Sequence, residues 1–171
     1  MSDFPTPNAS NDLTGDVAFI TGTTSGLGKR FAKVLAKCGA SVVVTGRRAE
    51  RLEELVNEIT AEGGKALAIT MDMTDRDNIR AAVAKAEDTL GPITILVNNA
   101  GIPDAQWALK MSDELIDNVF DTNLTGPWFL SLEIGKRMVE NKVKGRMVNI
   151  ASIAAFSTTG QSASSLYSVT K

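Results

Sequence analysis

Tyr167 and Lys171 stand four residues apart in "LYSVTK". On a helix that spacing sets a phenol and an ammonium group on one face, with roughly 5–6 Å between Cβ atoms. A second chemical signal lies in "TGTTSGLG", residues 21–28. Gly22 can take the positive φ of a tight turn, Gly26 would let a pyrophosphate approach the backbone, and Gly28 would let a helix pack closely on a sheet. Thr24, Ser25 and Leu27 complete this turn, and the free N–H groups of a helix starting near Leu27 would face the phosphates. The same glycines could also form an ordinary turn; their place after a strand and before a helix favours the nucleotide reading.

A dinucleotide site commonly carries an acidic residue about 20 positions further on, to bind the ribose 2′-OH. Here the sequence reads "TGRR". Gly46 removes a carboxylate that would repel a 2′-phosphate, while Arg47 and Arg48 offer a charge-assisted fork to one. This favours NADP(H), with NAD(H) possible; the bland alternative is that both arginines solvate the start of the next helix.

The elements that must position these groups alternate between two hydrophobic periods. Strands are expected at 17–21, 41–46, 66–71, 93–101 and 145–152. Helices are expected after the glycine turn, at 49–61, around 76–89, and at roughly 112–121 and 124–141. Phe31, Val34, Leu35 and Cys38 recur at i, i+3, i+4, i+7 and are expected to form the apolar face of the first helix. Residues 153–165 read as a loop leading to the helix of Tyr167. Strands apolar on both faces and separated by helices imply an α/β fold with a doubly wound parallel sheet, a three-layer Rossmann arrangement.

Eighteen basic and twenty acidic residues give a formal charge of −2, against a nucleic-acid partner. The single cysteine cannot form an internal disulfide, and without histidine the usual zinc and iron ligand sets cannot be assembled, so no metal site is expected. No stretch approaches the ~18 apolar residues of a membrane span. A cytoplasmic protein is expected, with residues 1–12 as a disordered leader and 13–171 as one nucleotide-binding domain.

With these residues in view, the sequence resembles the classical short-chain dehydrogenase/reductases. "TGTTSGLG", "NNAG" (98–101), Asn123 in "DTNLTG", Ser152 in "NIAS" and the Tyr167–Lys171 pair occur in the family's order. The resemblance implies that Tyr167 is the acid or base and that Lys171 both favours the phenolate and holds the nicotinamide ribose. It also implies that Ser152 hydrogen-bonds the substrate oxygen, and that Asn123 anchors a water in the proton path. Asp72, with Met73 beside it, would contact the adenine, and Asn99, Ala100 and Gly101 would line the nucleotide. Asp72 could equally be only a helix cap, and Asn98–Asn99 only a turn that tolerates left-handed backbone.

Family members continue past the lysine, so the sheet is expected to lack its C-terminal strands and the full-length form to be a homo-tetramer or dimer. The helix of Tyr167 has barely one turn in which to nucleate, so both residues are expected to be poorly held. The expected function is hydride transfer between NADP(H) and a small-molecule ketone or secondary alcohol, with a 3-oxoacyl reductase as one candidate. The alternative is a non-catalytic nucleotide-binding module or an inactive fragment. Ile102, Trp107, Phe156 and Gln161 suggest a partly apolar pocket.

Overall fold

The computed structural model describes residues 11–104, 106–156 and 164–171; most of the expected leader, and Gln161, lie outside them. Strand β1 (Val17–Ile20) leads through the glycine turn into α1 (Gly26–Lys37), then β2 (Ser41–Gly46), α2 (Ala49–Ala61), β3 (Lys65–Thr70) and α3 (Arg76–Leu90). Strand β4 (Ile95–Asn98), α4 (Asp113–Phe120), α5 (Gly126–Glu140), β5 (Arg146–Asn149) and α6 (Ser165–Thr170) follow. A π-helical turn, Asp121–Thr125, joins α4 to α5, so the two expected helices form one continuous helical segment.

The five strands are parallel, in the order β3-β2-β1-β4-β5. The order reverses between β1 and β4, and in open α/β sheets ligands bind at such a switch point, beyond the strands' carboxyl ends. Alternate residues of each central strand feed two cores. Phe19 and Val43 pack under Ile79 and Val83 of α3 and Leu130 and Ile134 of α5. Ile20, Val42 and Val44 pack against Ala32 of α1 and Leu52, Leu55 and Ile59 of α2. Three layers result, as the periodicity predicts. Across one outer layer, Arg137 of α5 pairs with Glu87 of α3 at 3.0 Å and with Glu133 at 3.1 Å.

Two expectations need correction. The face that α1 buries is Gly28, Ala32 and Ala36; Phe31, Leu35 and Cys38 are only partly buried and Val34 is exposed. The helix lies so close to the sheet that only small residues fit beneath it, and the larger ones seal its flanks. Strand β5 is exposed at all four residues instead of buried on both faces. It is one of the two edge strands, β3 being the other, and pairs with β4 alone. No helix among the described residues is long and apolar enough to cross a membrane.

Candidate active site

The glycine turn has the backbone its residues require. Gly22 has φ of 68° and Gly26 of 58°, a region that L side chains seldom adopt. A Cβ added at Gly26 would meet nothing within 4 Å, whereas one at Gly28 would overlap the carbonyl oxygen of Gly22 and the side chain of Asn99. Gly26 therefore keeps the approach open and Gly28 closes the helix onto the strand. Ser25, the N-cap residue of α1, makes no capping bond with its side chain, and the first turn carries no carboxylate. The amides at this helix end thus lack a side-chain acceptor and suit an anion.

Buried threonines brace the turn. Thr23 donates through N and Oγ1 to the Thr45 carbonyl at 3.0 and 3.1 Å, and Thr45 Oγ1 donates to the Ile20 carbonyl at 3.0 Å. Thr21 Oγ1 accepts from the Asn99 and Ala100 amides at 3.0 and 2.9 Å. Asn99 Nδ2 donates back to the carbonyls of Thr21 and Gly22 at 2.9 and 3.1 Å. Sequence reasoning missed Thr21 and Thr45, since a threonine at a strand end looks like any β-branched residue.

Around this turn opens a cleft of about 390 Å³. Gly22, Thr24, Ser25, Leu27 and Gly28 form one wall, Gly46, Arg47 and Arg48 the far end, and Asp72, Met73 and Asn99 to Gly101 the opposite side. Arg48 donates to Thr24 Oγ1, so one guanidinium is already turned toward the glycine turn and is not simply dissolved in solvent. Asp72 Oδ1 accepts from Thr74 N and Oγ1, both at 2.9 Å, while Asp75 caps α3 by accepting from Asp77 N and Asn78 N. The helix-cap reading therefore belongs to Asp75. Asn98 ends β4, and among the described non-glycine residues only Lys142 has positive φ, so left-handed backbone does not explain the asparagine pair.

Next to Ile102 of the cleft wall, Asn123 is 6 % exposed and engages both ends of its amide. Its Oδ1 accepts from Ile102 N at 2.8 Å, and its Nδ2 donates to the Ile102 carbonyl at 2.9 Å and to Thr170 Oγ1 at 3.1 Å. Lys171 Nζ donates to the Ile150 carbonyl at 3.0 Å and lies 5.7 Å from the centroid of the Tyr167 ring. Burial pushes its ammonium below the ordinary lysine value. Asp104, 3 % exposed, accepts from the amides of Leu166 at 2.9 Å and Tyr167 at 3.2 Å through one oxygen. The expectation that Tyr167 and Lys171 are poorly held is thus corrected: α6 is pinned at both ends from outside the helix.

The structure brings Gly101, Asn123, Thr170 and Lys171 together. Ser152 stands apart in its bonding: its Oγ accepts from Ala154 N at 3.2 Å, and no bond joins it to Tyr167 among the described residues. A smaller cleft of about 200 Å³ lies behind Lys171, lined in part by Asn98, Asn123, Ser131 and Asn149. Ile102 lines the larger cleft, while Trp107 and Phe156 are 57 % and 89 % exposed.

A family model described as short chain dehydrogenase matches residues 16–171. The chain belongs to the short-chain dehydrogenase/reductase family. This is a family of oxidoreductases that bind NAD(P). Among curated relatives, a 2-dehydro-3-deoxy-D-gluconate 5-dehydrogenase from Formosa agariphila is 38% identical over 143 residues, 83% of this chain and 54% of the relative. Among solved structures, a short-chain type dehydrogenase/reductase from Mycobacterium marinum has a TM-score of 0.90 at 35% identity, covering 94% of this chain and 65% of that one. An actinorhodin polyketide ketoreductase variant solved with NADPH has a TM-score of 0.85 at 36% identity, covering 91% and 59%. The chain spans about half the length of the curated relatives it matches.

Proposed function

We propose that this chain carries the nucleotide site and the Asn-Ser-Tyr-Lys set of an NADP(H)-dependent oxidoreductase acting on a ketone or secondary alcohol. One observation carries the reading: Asn123 ties the loop that lines the nucleotide cleft, at Ile102, to the end of the helix that bears Tyr167 and Lys171. Residues far apart in sequence are thereby gathered beside the cleft, where this reading puts the nicotinamide. The cofactor would supply or accept the hydride. Gly22, Thr24, Ser25, Gly26, Leu27 and Gly28 would hold its pyrophosphate, Asp72 and Met73 its adenine, and Asn99, Ala100 and Gly101 its central portion.

In reduction, the Tyr167 hydroxyl donates its proton to the carbonyl oxygen as the carbon gains hydride; in oxidation it takes that proton back. Lys171, one turn along the same helix face, places positive charge where the phenolate forms. The Ser152 hydroxyl can donate its hydrogen to the substrate oxygen while its own oxygen still accepts from Ala154 N. Both Nδ2 hydrogens of Asn123 are engaged, so any water it anchors would be held by an oxygen, Oδ1 or the backbone carbonyl. The preference for NADP(H) rests on Gly46, Arg47 and the Arg48–Thr24 contact. A small carbonyl or alcohol substrate, a cytoplasmic location and a homo-oligomeric full-length form belong to the same proposal.

Calorimetric titration with NADPH and with NADH tests the nucleotide half. NADPH is expected to bind about 10-fold or more tighter, as charge-assisted contacts to one phosphate would give. Equal or stronger NADH binding would overturn the preference. Tyr167→Phe tests the chemistry: NADPH still binds while reduction of a ketone panel is lost. Nucleotide binding with no turnover by the unsubstituted chain would favour the binding-module alternative.

A further inference from the structure

We propose that Asp104 is the positioning residue of Tyr167, acting as the N-cap of α6 from a different segment of the chain. A helix's first amides have no partner within the helix, and an N-cap side chain commonly accepts from the second and third of them. In α6, Ser164 occupies the N-cap position but its side chain does not cap. Leu166 and Tyr167, the second and third residues of the helix, instead donate their amides to Oδ2 of Asp104, which lies 62 and 63 positions earlier.

Three observations set this apart from an ordinary surface cap. The carboxylate is 3 % exposed, and its second oxygen, Oδ1, is buried without a partner among the described residues. A half-satisfied buried carboxylate is unfavourable for stability, and it persists where surrounding structure holds it in place. The loop that carries it is itself fixed two residues earlier, where Asn123 grips both the N–H and the carbonyl of Ile102. The same asparagine reaches Thr170 at the far end of α6, and Lys171 bonds to the Ile150 carbonyl. Asp104 therefore supplies the fixed point at the Tyr167 end, and Asn123 and Ile150 those at the Lys171 end. Without Asp104 the helix can pivot about its C-terminal anchors, which moves the phenol and leaves the ammonium in place.

The consequence for turnover rests on the reading of Tyr167 given above, whereas the geometry can be tested without any activity. Tyr167 is the only tyrosine in the chain, so labelling with ¹⁵N-tyrosine yields a single backbone amide signal. In the unsubstituted chain that amide is expected to be protected from solvent exchange, as a first-turn amide is when a side-chain acceptor holds it. Asp104→Ala is expected to shift the signal and speed its exchange by about fivefold or more, and Asp104→Asn to restore protection, since asparagine caps nearly as well as aspartate. An unprotected amide in the unsubstituted chain, or one equally protected in Asp104→Ala, overturns the proposal. Should Asp104→Ala fail to fold, the unsubstituted chain and Asp104→Asn still decide it.

Where the chain reduces a ketone with NADPH, Asp104→Ala is expected to lower kcat roughly 10- to 100-fold, the scale of a small misplacement of a reacting group. NADPH affinity is expected to stay within about twofold, because the glycine turn is untouched, and Asp104→Asn to recover most of kcat. Unchanged kcat in Asp104→Ala overturns the proposal even if the amide responds. Amide behaviour as expected in a chain without turnover supports the placement and counts against the oxidoreductase reading instead.

Discussion

Among the described residues Lys171 donates to one backbone carbonyl, and burial holds its ammonium below the ordinary lysine value. The unfolded chain therefore binds this proton more tightly than the folded one. Stability should rise with pH between the lowered folded-state value and the unfolded value near ~10.4, and the burial penalty should be fully present below that window. Melting the chain beside Lys171→Met across alkaline pH should show the unsubstituted protein gaining on the variant; parallel curves would refute the assignment. Asn123→Ala leaves the N–H and carbonyl of Ile102 without partners, and should cost about 1–3 kcal/mol in urea unfolding. Gly46 supports a third expectation. A Cβ there would lie 2.9 Å from Thr24 Cγ2, so Gly46→Asp, introduced to favour NADH, should weaken both nucleotides by itself. Adding Thr24→Ser removes the methyl, keeps the hydroxyl near Arg48, and should recover NADH binding in the same calorimetric titration.

Among the elements, α1 and α6 show what sequence can and cannot reveal. The glycine turn was legible because each glycine answers a separate steric demand that no other residue meets, and the doubly wound parallel sheet follows from the alternation of strand and helix periods. The buried face of α1 was not. Two stripes overlap on that helix, and a count of large apolar residues selects Phe31 and Val34, whereas close packing selects Gly28, Ala32 and Ala36. Gly28→Ala checks this directly: its methyl overlaps the Gly22 carbonyl, so nucleotide affinity and melting temperature should fall together. For α6, local sequence shows only a single weak turn. What holds it comes from residues 104, 123 and 150, and no short-range pattern in the chain points to them.

At the scale of the whole molecule, five parallel strands present one well-covered centre and one bare margin. Met147 and Val148 of β5 are 39% and 46% exposed, on opposite faces of the edge. Unpaired edges of this kind recruit other strands. Sedimentation should therefore show concentration-dependent association of this chain, reduced by Val148→Lys; unchanged association in that variant would place the contact elsewhere. The centre behaves differently because one hydroxyl, that of Thr21, serves two segments. It sits at the end of β1 and receives the Asn99 and Ala100 amides after β4, while the Asn99 side chain donates back to the Thr21 and Gly22 carbonyls. For anyone building chimaeras from members of this family, the glycine turn after β1 and the loop after β4 are thus inherited as one unit. A crossover placed anywhere between residues 22 and 98 splits that unit across two parents, and it should succeed only when both supply the same threonine–asparagine handshake.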